Sequence, residues 1–277
     1  MALINLRNAL MAGKRLPYDA EVEYLRVDAV GPYIVIDGVT YCNAVGTYYA
    51  FTISSGGVVT HDLIPVRLGN TGYMYDRITN KRFGNAGTGD FVVGPDVVPV
   101  EYIESNGTQY INTGLRYFPD FDVSIEVPSG QRNATIYCDP THILERIGYA
   151  TPYWQISAGD RLQSSVSVYG FHRVQFKASA LTIDGQAIGT ISNRTWADGA
   201  TCYIGFNGNS IYVYKLYGCQ MWDINNNATR NYKPVRVGTG STWEGAMIDT
   251  LTRRIYRNAG TGAFGYGNDL KYPIPAE

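Results

Sequence analysis

A phrase that occurs twice constrains this chain more than any other feature. Residues 74–91 read MYDRITNKRFGNAGTGDF and residues 247–264 read MIDTLTRRIYRNAGTGAF. Both hold Met-x-Asp, a Thr, an aromatic residue, the run Asn-Ala-Gly-Thr-Gly and a closing Phe. Each is preceded by Pro-Val-Arg, at 65–67 and at 234–236. An upstream echo pairs Val22-Glu23-Tyr24-Leu25 with Val100-Glu101-Tyr102-Ile103. Matches in the same order at both ends imply a duplication, and a duplicated stretch is expected to be a folding unit. The first copy is placed at 18–96 and the second at 97–277, which carries a long insertion between its shared ends. Residues 1–17 precede both.

The unit type follows from local pattern. EVEYLRV, YIVIDG, VTYCN, TYYAFTIS and VVTHDLIPVRL are short, rich in β-branched and aromatic residues, and separated by Gly, Asp and Asn. In the second copy Phe121, Val123, Ile125 and Val127 alternate with Asp122, Ser124 and Glu126, the pattern of a strand with one wet face. ATIYCD, YWQISAGD, SSVSVYG and HRVQFKA follow as further strands. Asp184-Gly185 between β-rich flanks predicts a two-residue type I′ hairpin, whose central residues both need positive φ. Residues 201–224 predict a second hairpin around Asn207-Gly208-Asn209. The whole reads as all-β, an antiparallel sandwich in the second copy preceded by a smaller β domain. Residues 93–99 (VGPDVVP) read as an inter-domain linker, stiffened by two prolines.

Composition excludes several classes. With 45% hydrophobic residues the chain can bury a core. Charged residues are 17% and the net charge is −1, which argues against a phosphate-binding surface and hence against nucleic-acid partners. No apolar run is long enough for a membrane-spanning helix. The leader lacks the basic start and uninterrupted apolar stretch of a signal peptide, so synthesis in a reducing cytoplasm is expected. Cys42, Cys138, Cys202 and Cys219 show no metal spacing and read as buried free thiols. Leu3, Leu6, Leu10 and Met11 fall near helical spacing, too briefly for a helix stable alone. They are read as a docking arm that orders against another protein.

The second copy resembles the laminin-G/concanavalin A-like jelly-roll modules of gut-bacterial and gut-phage surface proteins. The resemblance rests on residues 100–114 (VEYIESNGTQYINTG), on the hairpin around Asp184-Gly185, on Tyr203-Ile204-Gly205 through Met221-Trp222-Asp223, and on Asn258-Ala259-Gly260-Thr261-Gly262. The first copy departs from it by lacking the middle strands. The leader INLRNALMAGKR is similar to the opening of such proteins in phages. The resemblance implies a virion component made in the host cytoplasm, exposed on head or tail and anchored by its N-terminal region. It implies other virion proteins as partners, a homo-oligomeric state, and host-surface glycans as candidate ligands. Its alternatives are a carbohydrate-active enzyme of concanavalin-like fold and a ligand-free capsid cement protein.

The residues themselves favour the non-enzymatic reading. Glycoside hydrolysis needs two carboxyl groups about 5–9.5 Å apart. Glu101 and Glu104 differ in strand parity, while Asp122 and Glu126 share a face but stand roughly 13 Å apart. His61, His142 and His172 are scattered, with His172 read as a polar edge residue. No cofactor is expected. Calcium remains a candidate, with Asp139, Asp160, Asp198 and Asp223 as dispersed oxygen donors. The Asn-Ala-Gly-Thr-Gly run reads as a structural turn rather than a phosphate loop. Sugars lay their C–H faces on aromatic rings, so Trp196 with Asp198, Tyr153, Trp154 and Trp243 are the candidate glycan platforms. Trp222, in an alternating strand, is read as core.

Overall fold

The computed structural model describes residues 18–128, 133–140, 142–147, 153–166, 170–195, 199–205 and 213–270. They form strands and turns with no helix among the described residues, and the strand pairings are antiparallel. The fold is all-β. The docking-arm residues Leu3, Leu6, Leu10 and Met11 lie outside the described residues.

The two copies fold with the same strand register. In the first, Val58–Leu68 pairs Thr71–Asp76 with Pro65 opposite Met74, and Met74 in turn faces Phe83. In the second, Ala228–Thr239 pairs Thr242–Asp249 with Pro234 opposite Met247, and Met247 faces Tyr256. The correspondence extends beyond the shared phrase. Leu25 lies between Val93 and Tyr48 as Ile103 lies between Tyr266 and Leu216. Phe51 opposes Leu63 as Cys219 opposes Tyr232. The copies diverge only in between. After Leu25–Val27 the first has a small hairpin, Ile34–Ile36 with Val39–Tyr41. The second has an entire additional layer after Ile103–Asn106.

The shared phrase is the fastener that closes each copy. Asn85 Oδ1 accepts from the Gly87 and Tyr33 amides at 2.8 and 3.1 Å, and Asn258 Oδ1 accepts from those of Gly260 and Tyr110 at 2.7 and 3.0 Å. The backbone then runs beside the start of its own copy. Ala86 N donates to Tyr33 O and Thr88 N to Gly31 O, while Ala259 N donates to Tyr110 O and Thr261 N to Thr108 O. The approach leaves no room for a side chain. A Cβ on Gly87 would stand 1.9 Å from Gly31 O, and one on Gly260 would stand 2.1 Å from Thr108 O. The Met-x-Asp of the phrase has its own task. Asp76 accepts from the Asp62 and Ile78 amides and the Thr79 hydroxyl, and Asp249 does the same with Asn231, Leu251 and Thr252. A buried carboxylate that takes three such bonds pins the turn that follows its strand.

The second copy is a two-layer sandwich. One layer is part of the large sheet: Gln186–Thr190, Ala180–Ile183, Gly170–Lys177, Asp120–Val127, Val213–Trp222 and Ala228–Thr239, in that spatial order. The other has six strands: Ile111–Asn112, Tyr203–Ile204, Asn133–Asp139, His142–Ile147, Tyr153–Ala158 and Asp160–Gln163. Phe121, Val123, Phe176, Leu216 and Met221 of the first pack on Ile136, Leu144, Trp154, Ile156 and Ile204 of the second in one core. The alternation expected along 121–127 holds, with the even positions outside. Asp184 and Gly185 have φ of 51° and 79°, as the type I′ turn requires. Residues 207–209 of the second expected hairpin lie outside the described residues; of the segments flanking them, Tyr203–Ile204 belongs to the six-stranded layer and Val213–Trp222 to the large sheet, so these two do not pair. Both segments turn residues into the same core, Ile204 from one layer and Tyr214 and Leu216 from the other.

Residues 96–99 correct the linker expectation. Asp96–Pro99 is a strand in the middle of the large sheet, between Ala20–Val22 of the first copy and Ala228–Thr239 of the second. The prolines fit because Pro95 precedes the strand and Pro99 ends it. Bidentate ion pairs flank it. Arg67 holds Asp96 at 3.0 and 2.7 Å, and the equivalent Arg236 holds Asp269 at 2.6 and 2.7 Å. Arg253 reaches across to Glu21 at 2.7 Å, and Arg257 to Glu23 at 2.8 and 2.6 Å. The space left among Glu21, Ile64, Val97, Ile248 and Arg253 is about 10 Å³, room for about one water. The first copy thus has no free-standing boundary.

Two outcomes follow. Gly260→Ala is expected to destabilise the protein by about 1–3 kcal/mol through backbone overlap, whereas Ala259→Ser, at an exposed neighbour, stays within about 0.5 kcal/mol; urea unfolding measures both. Its hydrogen bonds from Arg236 hold the Asp269 carboxyl below its usual range. A depressed carboxylate contributes stability above its unfolded pKa and loses it as pH falls through the folded one. The stability gap between wild type and Asp269→Asn should therefore be open at neutral pH and close below about pH 4.

Candidate functional site

The outer face of the large sheet carries a groove that the alternation of its strands builds row by row. In one row Gln175, Asp122, Gln220 and Asn231 stand side by side on four neighbouring strands. In the next, Arg173 and Gly218 flank Ser124, with Lys233 one position past the Cys219–Tyr232 pair. Small residues in the middle and long ones at the ends make a depression. A β-bulge helps: the register shifts between Ser124 and Ile125, so Tyr217 is an extra residue opposite their strand. A bulge re-aims side chains, and here Tyr217 joins the wet face while Gly218 leaves the floor bare. The resulting cavity is about 230 Å³, lined by Asp122, Ser124, Arg173, Tyr217, Gln220, Asn231 and Lys233.

Most of its polar groups are held in place by neighbours. Arg173 Nε donates to Asp122 Oδ1 at 2.9 Å and Nη2 to Oδ2 at 2.5 Å, and Gln175 adds a bond at 3.3 Å. The Tyr217 hydroxyl donates to Glu126 at 2.7 Å, and burial together with that carboxylate pushes the phenol pKa up. Lys215 also pairs with Glu126, at 3.4 Å. One group is different. Asn231 is 1% exposed, and its Nδ2 has no hydrogen-bond partner among the described residues. Beside the groove Phe171 is 53% exposed and meets Tyr217 edge-on at 5.0 Å, with Tyr102 against Tyr217 at 5.3 Å.

Of the aromatic platforms expected from sequence, Tyr153, Trp154 and Trp243 are among the described residues, and none of the three lines this groove. Trp196 and Asp198 lie outside the described residues. Trp154 is fully buried in the sandwich core; its strand carries inward residues at successive positions, so the ring has no face to offer a sugar. Tyr153 is half-buried on the six-stranded layer beside Gln163. Trp243 sits at a hairpin end, its Nε1 bonded to Gly240 O and one ring face covered by Arg236 at 3.8 Å. Trp222 is not core: it lies on the wet face beneath the Lys177 ammonium at 4.3 Å.

The remaining chemical groups serve structure. His172 is buried against Trp154 and bonded to Asp184 at 2.7 Å, rather than at a polar edge. His142 links Asp139 at 3.0 Å to the Thr195 hydroxyl at 2.9 Å, tying its strand to the segment before Trp196. His61 lies 3.5 Å from Asp37. Of the calcium candidates, Asp160 bonds Asn193 and Asp223 caps its own turn through Asn225 and Asn227. Among the described residues no three His, Cys, Asp or Glu side chains gather as a metal site. All four cysteines are free and buried. Burial pushes the Cys42 thiol up to about 12, and Cys138 is raised by its bond to Cys202 and by burial, so these thiols lack the thiolate form that reacts.

Compared with known proteins, the chain matches no family model, no curated protein and no solved structure. The groove was missed in the sequence because its residues come from four separated segments. The available signal was the polar set of each alternating strand, Asp122 with Ser124, Arg173 with Gln175, and Asn231 with Lys233.

Proposed function

We propose that this chain is a non-enzymatic bacteriophage virion protein, anchored by its N-terminal region, whose sandwich binds host-surface glycans through the outer groove. The groove carries the binding half of this reading. It combines a small polar floor, fixed donors and acceptors, and exposed aromatic edges, the mixture with which proteins orient a sugar. Asp122 in its lining and Glu126 beyond it stand roughly 13 Å apart along one strand, wider than a hydrolytic pair, and each is already engaged by a cationic neighbour. The virion half rests on the resemblance of the leader and of residues 100–114 and 258–262 to phage surface modules. A cavity of this size gives weak binding per site, and many copies on a particle would raise it through effective concentration.

The test is a host-glycan array with the wild type and Ser124→Trp. Ser124 is on the wet face, so the larger ring fills the groove without entering the core. The expected result is array binding that falls at least about tenfold in the variant, a loss of about 1.4 kcal/mol, with the melting temperature retained. Binding unaffected by the variant would refute the groove as the site.

A further inference from the structure

We infer that Cys138 and Cys202 form a site of reversible covalent modification: a cross-strand disulfide that a small-molecule disulfide installs in the six-stranded layer. The inference is independent of the sugar site.

Strand register places the two residues face to face. Asn133–Asp139 pairs Tyr203–Ile204 with Ile136 opposite Ile204 and Tyr137 opposite Tyr203, so the next positions in step are Cys138 and Cys202. Gly205 N donates to Thr135 O, which makes those two a hydrogen-bonded pair. The pair type alternates along an antiparallel ladder, so Cys138 and Cys202 are a non-hydrogen-bonded pair. The main chain of Cys202 agrees. Its N–H donates to Leu115 O, and its carbonyl accepts from Thr113 N and Oγ1, so both groups are turned to the strand on its other side. Pairs of this type bring their Cα atoms to ~4.5 Å and their side chains close together, within the ~4.4–6.8 Å that a disulfide spans.

Both side chains enter the same core, two positions along from Ile136 and Ile204. The two thiols are hydrogen-bonded to each other. Cys138 gives its one S–H to Tyr117 O at 3.3 Å, so its sulfur accepts from Cys202. The remaining cysteines are placed less well. Cys42 is in the core of the first copy. Cys219 belongs to the large sheet, and stacked sheets stand ~10 Å apart, beyond the span of a disulfide.

The chemistry is thiol–disulfide exchange. Cys138, 6% exposed against 0% for Cys202, loses its proton and attacks one sulfur of the small disulfide, which releases one thiolate. Cys202 then loses its proton and attacks the Cys138 sulfur of the mixed disulfide, which releases the second. The two cysteine protons end on the two released thiols. The pair gives up two electrons, and the small disulfide takes them. Burial and the bond to Cys202 hold the Cys138 thiol as S–H at rest, so exchange waits on opening of the layer and is slow. A reducing cytoplasm keeps the pair open, and an oxidising exterior closes it. The bond closes a long loop, which constrains the unfolded chain strongly, and it fastens Tyr203–Ile204, a strand of two residues.

The test incubates the reduced full chain with glutathione disulfide, both folded and during refolding from urea, so that burial cannot withhold the thiols. Alkylation after denaturation and peptide mass spectrometry then count and place the thiols. The expected result is loss of two of the four free thiols, a linked Cys138–Cys202 peptide pair, and a melting temperature at least about 5 °C higher that reverts with a reductant. Compared with its own reduced form, Cys202→Ala should show neither link nor gain, and Cys219→Ala should show both. Four free thiols after refolding, mixed disulfides with glutathione alone, or a link to Cys42 or Cys219 would overturn the inference. So would a Cys138–Cys202 link that leaves the melting temperature unchanged.

Discussion

The structure depends on one strand, Asp96–Pro99, which hydrogen-bonds to both copies at once. On one side it pairs with Ala20–Val22 and on the other with Ala228–Thr239, and through them the large sheet runs across the whole molecule. The main chain in a central strand satisfies its donors and acceptors on both edges. Removing it would leave two exposed edges that the neighbouring copies cannot cover themselves. Arg67 fixes the start of this strand to the first copy through Asp96, while from the second copy the largely buried Arg253 reaches Glu21 and the half-exposed Arg257 reaches Glu23. The Arg253–Glu21 pair, largely buried on both sides, makes separation costly, because either partner alone would be an uncompensated charge.

Given that junction, the duplication has a physical logic. Each copy closes with the same fastener, an Asn-bracketed glycine turn laid along the copy's first segment, and the fastener does not sense what lies between the ends. The first copy places a short hairpin there, and the second places the six-stranded layer. Only the second therefore has two faces to its sheet with separate roles. The inner face packs on the added layer, and the outer face is left to water. The bulge at Tyr217 and the bare Gly218 floor then turn part of that wet face into a groove.

Much of this was legible in the sequence where the signal was local. The alternation at 121–127, the Asp184-Gly185 turn, the structural role of Asn-Ala-Gly-Thr-Gly and the buried free cysteines follow from period, φ requirement and spacing. What failed was context. Pro95 and Pro99 flag a boundary in any local reading, and only the sheet shows that they bracket a strand. The segments flanking 207–209 do not pair as a hairpin, because turn residues carry no information about which layer receives each flanking strand. Trp154 and Trp222 exchanged places, one into the core and one onto the wet face, since neither strand parity nor the inserted layer is fixed by residue type. The groove was invisible for the same reason: Asn231 is an ordinary strand polar residue until Gln220 and Asp122 stand beside it.

Hydrogen exchange at the amides of Asp96, Val97 and Val98 tests the account most directly. A strand locked between two copies exchanges only when the molecule opens globally, so these amides should be protected as strongly as those of Val123 and Val235 in the neighbouring core strands. Exchange at the rate of an exposed loop, with the cores on either side still protected, would show two independent units joined by a tether and would contradict the continuous sheet.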